Sequence, residues 1–253
     1  MIVWREKFRA VLLHFMVTLV MALGAAGLIF LVWYPDPFQT MVGGTRFFLL
    51  ICICDLVLGP LTSLIIYNSK KTRRALIFDY TVVGIVQLAA FVYGVVSIAN
   101  ARPVYVAWAK DRFEVVMAED LDDEDLAAAQ DPYRTRPKWG PVLIGTQRPS
   151  TSEERNDLLF AALERGKDIQ NFPRYFVPYE QVTEQVKEAS LPLDKLYKRR
   201  PEARAAIAAQ HLNVPEEQLR WAPIHSPRMY WTVLVDGKSG ELLCYLPVDP
   251  YDS

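Results

Sequence analysis

Asp55 is the residue whose setting most invites chemistry. It is the only Asp, Glu, Lys or Arg in the run Phe47 to Tyr67. A carboxylate at the middle of an apolar helix costs about 2.5–3.5 kcal/mol on insertion scales, so it is expected to be buried, paired or protonated. Gly59, Pro60 and Thr62 follow on the same run. Proline removes a helix hydrogen bond and predicts a kink, and a threonine hydroxyl can satisfy a freed carbonyl. Gln87, in the next apolar run, is the natural polar partner for Asp55, although depth counting leaves the two about a turn apart. Three chemistries fit such a group: a proton or ion relay, a polar clamp between helices, or a docking site for another protein's helix. Transporters carry more helices and several ionisable groups, which disfavours the relay.

Other reactive residues form no pattern. The chain has three cysteines and three histidines. Cys52 and Cys54 are too close for a CxxC pair, and Cys244 stands alone near the C-terminus, so no disulfide framework is readable. His14 opens an apolar run, while His211 and His225 lack the neighbours of a metal-ligand motif. The acidic stretch Glu119 to Asp125 lacks the spaced oxygens and glycine of an EF-hand. HExxH, GxSxG, P-loop and GxGxxG motifs are absent. No catalytic residue, metal or cofactor is therefore expected.

The elements that must position Asp55 are apolar. Ala10 to Tyr34 and Tyr80 to Ala99 carry no Asp, Glu, Lys or Arg. A bilayer core needs about 20 apolar residues in a helix, and only helices satisfy every backbone group there without partner strands. Three spanning helices are predicted, over about 10–34, 47–67 and 80–99, within a transmembrane domain of residues 1–100. The first run is too long for the h-region of a cleaved signal peptide, and Trp33, Tyr34 and Pro35 follow it in place of small residues. Arg5, Lys7 and Arg9 precede the first run; Lys70, Lys71, Arg73 and Arg74 lie between the second and third; the first loop carries only Arg46. That asymmetry puts the N-terminus and second loop in the cytoplasm and everything after the third helix outside. The total charge of −1 argues against a nucleic-acid partner.

Residues 101–253 read as an outward α+β domain. Val104, Val106 and Trp108 alternate, as do Phe113 and Val115, which predicts short strands. Thr151 to Glu154 is a capping box ahead of a helix reaching about Arg165, with Leu158, Leu159, Ala162 and Leu163 as its buried stripe. Pro178 to Ala189 and Pro201 to His211 are further predicted helices, and Met229 to Leu246 a hairpin closed by a glycine-containing loop. Pairing of the first and last strands would close the sheet.

Several stretches resemble the TfpX/TfpZ type IV pilin accessory proteins. They are LVWYPDP (Leu31 to Pro37), Gly43-Gly44, DLVLGPLT (Asp55 to Thr62), Asp79, QLAAFVYG (Gln87 to Gly94), RPVY (Arg102 to Tyr105) and Asp111-Arg112-Phe113. The match covers about the first 120 residues. The resemblance implies a non-catalytic inner-membrane protein that assists assembly or stability of a particular pilin, itself a single apolar helix carrying an outward head. On that reading Asp55, Gly59, Pro60, Thr62 and Gln87 are candidate partner-binding residues that shape a groove for the pilin helix, while the periplasmic domain contacts the head. The alternative is a membrane-anchored periplasmic enzyme of unknown reaction.

Overall fold

The computed structural model describes residues 2–67 and 71–251; Asn68 to Lys70, in the basic second loop, lie outside the described residues, as do the side chains of Cys54 and Asp55. The first apolar run is a helix, α1 (Ile2–Leu28), ending in a π-helical turn over Ile29–Trp33. A short α2 (Phe38–Met41) follows. The second run forms α3 (Gly44–Ile53) and α4 (Gly59–Ile66), joined by a π-helical turn over Cys54–Leu58. Pro60 stands at the start of α4 and brings no backbone N–H, and the widened turn just before it is where the helix absorbs that loss. The third run is α5 (Arg73–Asn100), capped by Thr72, whose hydroxyl accepts from Ala75 N at 3.3 Å.

Two helical stretches, Lys7–Trp33 and Arg73–Asn100, are long and apolar enough to cross a membrane. Their exposed side chains are strongly apolar: Leu13 and Leu31 on the first, Phe78, Ile85 and Val86 on the second. On α1 the buried positions Thr18, Ala22, Ala25 and Ile29 recur at helical spacing and form a single stripe. Ala25 and Ile29 in that stripe join the core shared with the sheet, and α4 packs closely on α1.

A mixed eight-stranded sheet follows, in strands β1 (Pro103–Ala109), β2 (Arg112–Met117), β3 (Val142–Thr146), β4 (Phe176–Pro178), β5 (Leu191–Pro192), β6 (Leu219–His225), β7 (Tyr230–Asp236) and β8 (Leu242–Leu246). Its order is β4-β3-β1-β2-β6-β7-β8, with β5 on β6. Helices intervene along the chain: α6 (Asp123–Ala127), α7 (Ser152–Arg165), α8 (Thr183–Ala189), α9 (Leu193–Arg199) and α10 (Ala203–Ala208). β1 is buried along its whole length. Its alternate residues feed two cores, Val106 and Trp108 into one and Tyr105 and Ala107 into the other. A third core packs α9 and α10 on Trp221, Leu234 and Leu246.

The expected closure of first strand on last does not occur. β1 lies between β3 and β2, and β8 is the far edge, paired among the described residues with β7. The predicted β7–β8 hairpin is present, as is the capping box at Thr151 and Glu154. The stripe expected on α7 is corrected: Leu158 and Ala161 point inward, whereas Leu159, Phe160 and Leu163 are exposed. The predicted helix from Pro178 starts as a tight turn over Tyr179–Gln181 and becomes α-helical only at Thr183.

The apolar helices and the sheet share one core. Ile29, Tyr34, Phe38, Met41 and Ile98 pack in the same cluster as Trp108, Phe113, Ile224 and Val233. Polar ties reinforce the junction. The buried Tyr34 hydroxyl donates to Ile98 O at 3.0 Å and to Ala101 O at 2.7 Å, and Ser226 Oγ donates to Met41 O at 3.1 Å. Gly43, at φ +80°, lies against the Arg228 guanidinium, where a Cβ would collide. Replacing Tyr34 by Phe strands two carbonyls at the end of α5, so the purified protein in detergent should lose about 1–3 kcal/mol, read as a lower melting midpoint. Tyr93→Phe, at an exposed position, should leave the midpoint unchanged.

Candidate functional site

The best-defined site lies where α1, α4 and α5 meet. α4 packs on both α1 and α5. Residues of α1 and α5 line a groove of about 540 Å³. Its walls are mostly apolar, with Leu13, Val17 and Leu88 among them, and Gly84 opens one side. His14, Thr18, Tyr80 and Gln87 supply its polar groups.

Two of those polar groups, His14 and Tyr80, are held by Ser63, which is buried in α4. His14 Nδ1 lies 2.6 Å from Ser63 Oγ, and the Tyr80 hydroxyl donates to Ser63 O at 3.3 Å. Thr18 returns its hydroxyl to its own helix, at His14 O and Phe15 O. Gly59 makes the approach of the three helices feasible. A Cβ there would stand 2.9 Å from His14 Nε2 and 3.2 Å from Gln87 Nε2. The network can therefore clamp three helices, and it presents imidazole and amide groups to whatever fills the groove.

The residues singled out from sequence are partly gathered here. Gly59 and Gln87 meet beside His14. Gln87 lines the groove, while Gly59 and Pro60 belong to the helix behind it. Thr62 donates to Leu58 O, and to Gly59 O at 2.9 Å, back-bonds to its own helix that do not reach Leu56 O, the carbonyl four residues before Pro60. The Asp55 side chain lies outside the described residues, so its pairing with Gln87 is untested. His14 and Ser63 were missed. The signal was there: each is a polar residue in an apolar run, and Ser63 stands one turn after Gly59.

In the sheet, parallel pairing of β2 and β6 sets Glu114 opposite His225. The Glu114 carboxylate, 8% exposed, accepts from Arg112 Nε at 2.5 Å and from His225 Nδ1 at 2.8 Å. The His225 ring stacks on Tyr230. This triad neutralises a buried acid within the sheet. Among the described residues no group of three or more His, Cys, Asp or Glu could hold a metal ion. Cys244 is half-buried in β8, and burial pushes its thiol up to about 11, away from the thiolate needed of a nucleophile.

Comparison with known proteins addresses the whole chain. The fimbrial assembly protein of serogroup I from Dichelobacter nodosus is 32% identical over 246 residues, covering 95% of this chain and 94% of the relative. That of serogroup E1 is 31% identical over 246 residues, with the same coverage. This chain belongs to the fimbrial assembly protein family. A third relative from the same organism, for serogroups C1 and C2, is 38% identical over 117 residues, 46% of this chain and 89% of the relative. The model of the family described as fimbrial assembly protein FimB matches residues 2–43, which is α1, α2 and the turn to α3. No solved structure matches. The family agrees with the type IV pilus assembly resemblance carried by the LVWYPDP and DLVLGPLT stretches.

The close approach at Gly59 generates a stability prediction. Gly59→Val should push His14 off Ser63 and cost about 1–3 kcal/mol, seen as a lower melting midpoint in detergent. Gly84→Ala meets no atom within 4 Å and should hold or raise that midpoint, because alanine favours helix by about 1 kcal/mol over glycine.

Proposed function

We propose that this chain is a non-catalytic inner-membrane accessory factor that assists assembly or stability of a type IV pilin by holding both the pilin's helix and its head. In this reading three helices span the bilayer, with α3 and α4 together as the second span. The N-terminus faces the cytoplasm and the sheet domain faces the periplasm. Arg5, Lys7 and Arg9 on one side and the basic second loop on the same side support that orientation. Membership of the fimbrial assembly protein family supports the role in pilus assembly. The relatives are named by serogroup, which fits a factor matched to one fimbrial type.

The observation that carries the proposal is the groove between α1 and α5. A mostly apolar groove between two long apolar helices is a surface that a further helix can fill. His14 and Gln87 give that helix hydrogen-bonding groups, which matter more than burial where the competing solvent is lipid. Gly59, Pro60 and Thr62 set the shape of the wall behind, and Asp55 keeps its place as a candidate because a carboxylate there demands a partner.

A second surface supports contact with the head. Leu159, Phe160 and Leu163 form an exposed apolar face on α7, with Glu153, Asp157 and Glu164 exposed on the same helix. α7 packs beside Ala109, at the end of β1 opposite to Pro103 and the end of α5. A strand of that length spans roughly 20 Å. That separation from the end of α5 supports reading the face as a contact for a protein outside the bilayer.

A photo-crosslinking residue at Leu88, in cells expressing the cognate pilin, should capture the pilin's apolar helix, and Gly84→Trp should fill the groove and abolish capture together with surface piliation. Leu163→Glu should reduce piliation while leaving Leu88 capture intact. Pilin absent from both Leu88 and Leu163 crosslinks, with full piliation in Gly84→Trp, would sink the proposal. Alkaline phosphatase fused after Ser253 should be active; a silent but stable fusion would reverse the orientation.

A further inference from the structure

The loop before β3 carries a tryptophan whose position the pilin-holding role does not use. Trp139 is 74% exposed, whereas Trp108 and Trp221 are fully buried. Its exposure is not that of a free loop tip. On one side, Gly140 N–H donates to Val32 O at 2.8 Å, which ties the loop to the last turn of α1. On the other, Pro137 O accepts from Arg102 Nη2 at 3.1 Å, and the same guanidinium donates through Nη1 to Ala99 O at the end of α5. Both flanks of Trp139 are therefore fixed at the outer ends of the two long apolar helices.

That level of the molecule has the composition of a bilayer boundary. Leu31, one residue from the tether at Val32, is 81% exposed. Trp33 lies under the Arg102 guanidinium, 5.8 Å from its carbon. Lys138, beside Trp139, is exposed. An indole with an apolar body and one N–H donor settles where hydrocarbon meets headgroups, and a lysine beside it can reach lipid phosphates.

We propose that Trp139 and Lys138 form a lipid-contact site, through which the sheet domain inserts its own anchor into the headgroup–acyl boundary of the outer leaflet. The inference rests on the reading that α1 and α5 span a bilayer. Given that reading, the exposed Leu31 surface is a lipid interface and Trp139 continues it. The site would fix the tilt of the sheet domain over the membrane, because a third point of contact is added to the two helix ends.

The test uses full-length protein with its three cysteines replaced by alanine, reconstituted in phosphatidylcholine–phosphatidylglycerol vesicles without other proteins. Single cysteines carrying an environment-sensitive fluorophore replace Trp139, Lys138, Val86 or Leu163. Quenching by lipid with a nitroxide high on its acyl chain is compared with quenching by aqueous iodide. Probes at 139 and 138 should be quenched by the nitroxide several-fold more than the probe at 163, and shielded from iodide relative to it. Iodide-accessible probes at 139 and 138 that ignore the nitroxide, while the probe at 86 is quenched, would overturn the lipid site and leave the spanning helices standing. Probes at 139 and 138 shielded from both quenchers would also overturn it, in favour of a protein contact there. An unquenched probe at 86 would overturn the spanning reading itself and this proposal with it.

Discussion

A helix that ends inside a core must find partners for its last carbonyls, and the architecture of this protein follows from how α5 solves that problem. The final turn of any helix leaves carbonyls without intrahelical donors. At the end of α5, Ile98 O and Ala101 O are met by the Tyr34 hydroxyl, and Ala99 O by Arg102. Tyr34 comes from the far side of two apolar helices in sequence. Its body is buried among Phe38, Met41 and residues of the sheet. One aromatic side chain thus closes the helical hairpin, caps α5 and seats the helical half on the sheet. The loop from Trp33 to Gly44 cannot be a free connector under these conditions, and the FimB family model ends at the same place, at residue 43.

Fixing α1 and α5 at the end next to the sheet has a consequence for the opposite end. With α1 and α5 pinned together near Tyr34 and each packed on α4, the groove between them is set by side chains at the helix crossing. Thr18, Ala22 and Ala25 allow close packing along one side of α1. Gly59 allows His14 and Gln87 to meet over α4. A larger residue at Gly59 would displace His14 and Gln87, and the groove would change width even though Gly59 does not line it.

How much of this could be read from the chain depends on the range of the interaction. The apolar runs, the Thr151–Glu154 capping box and the β7–β8 hairpin rest on neighbours in sequence, and all three were legible. The pairing of β1 with β3 and of β2 with β6 was not, because alternation tells which faces a strand has and not which strand lies beside it, and these partners are far apart in sequence. On α7 the pattern Leu158, Leu159, Ala162, Leu163 fits either of two adjacent stripes. The sheet selects the one through Leu158 and Ala161, and the other is left facing out. At the candidate site, Gly59 and Gln87 were visible as exceptions to an apolar background. His14 and Ser63 were equally exceptional, but their bond joins positions 49 apart in sequence and only the fold declares it.

The apolar groove and the apolar face of α7 pose different physical problems, which bears on how a single chain could hold a two-part partner. Water drives association at the α7 face, so Leu159, Phe160 and Leu163 gain from burial itself, at about 25 cal/mol per Å² of apolar surface removed from water. In the proposed membrane setting the groove gains nothing of that kind, since acyl chains fill it as readily as a helix does. Selectivity there must come from close packing and from polar groups that lipid tails cannot satisfy, and His14 and Gln87 are such groups. A partner held through both surfaces would draw affinity chiefly from the outer one and register from the inner one. Since Tyr34 fixes the two surfaces relative to each other, binding at the first would deliver the partner's helix to the second at high effective concentration.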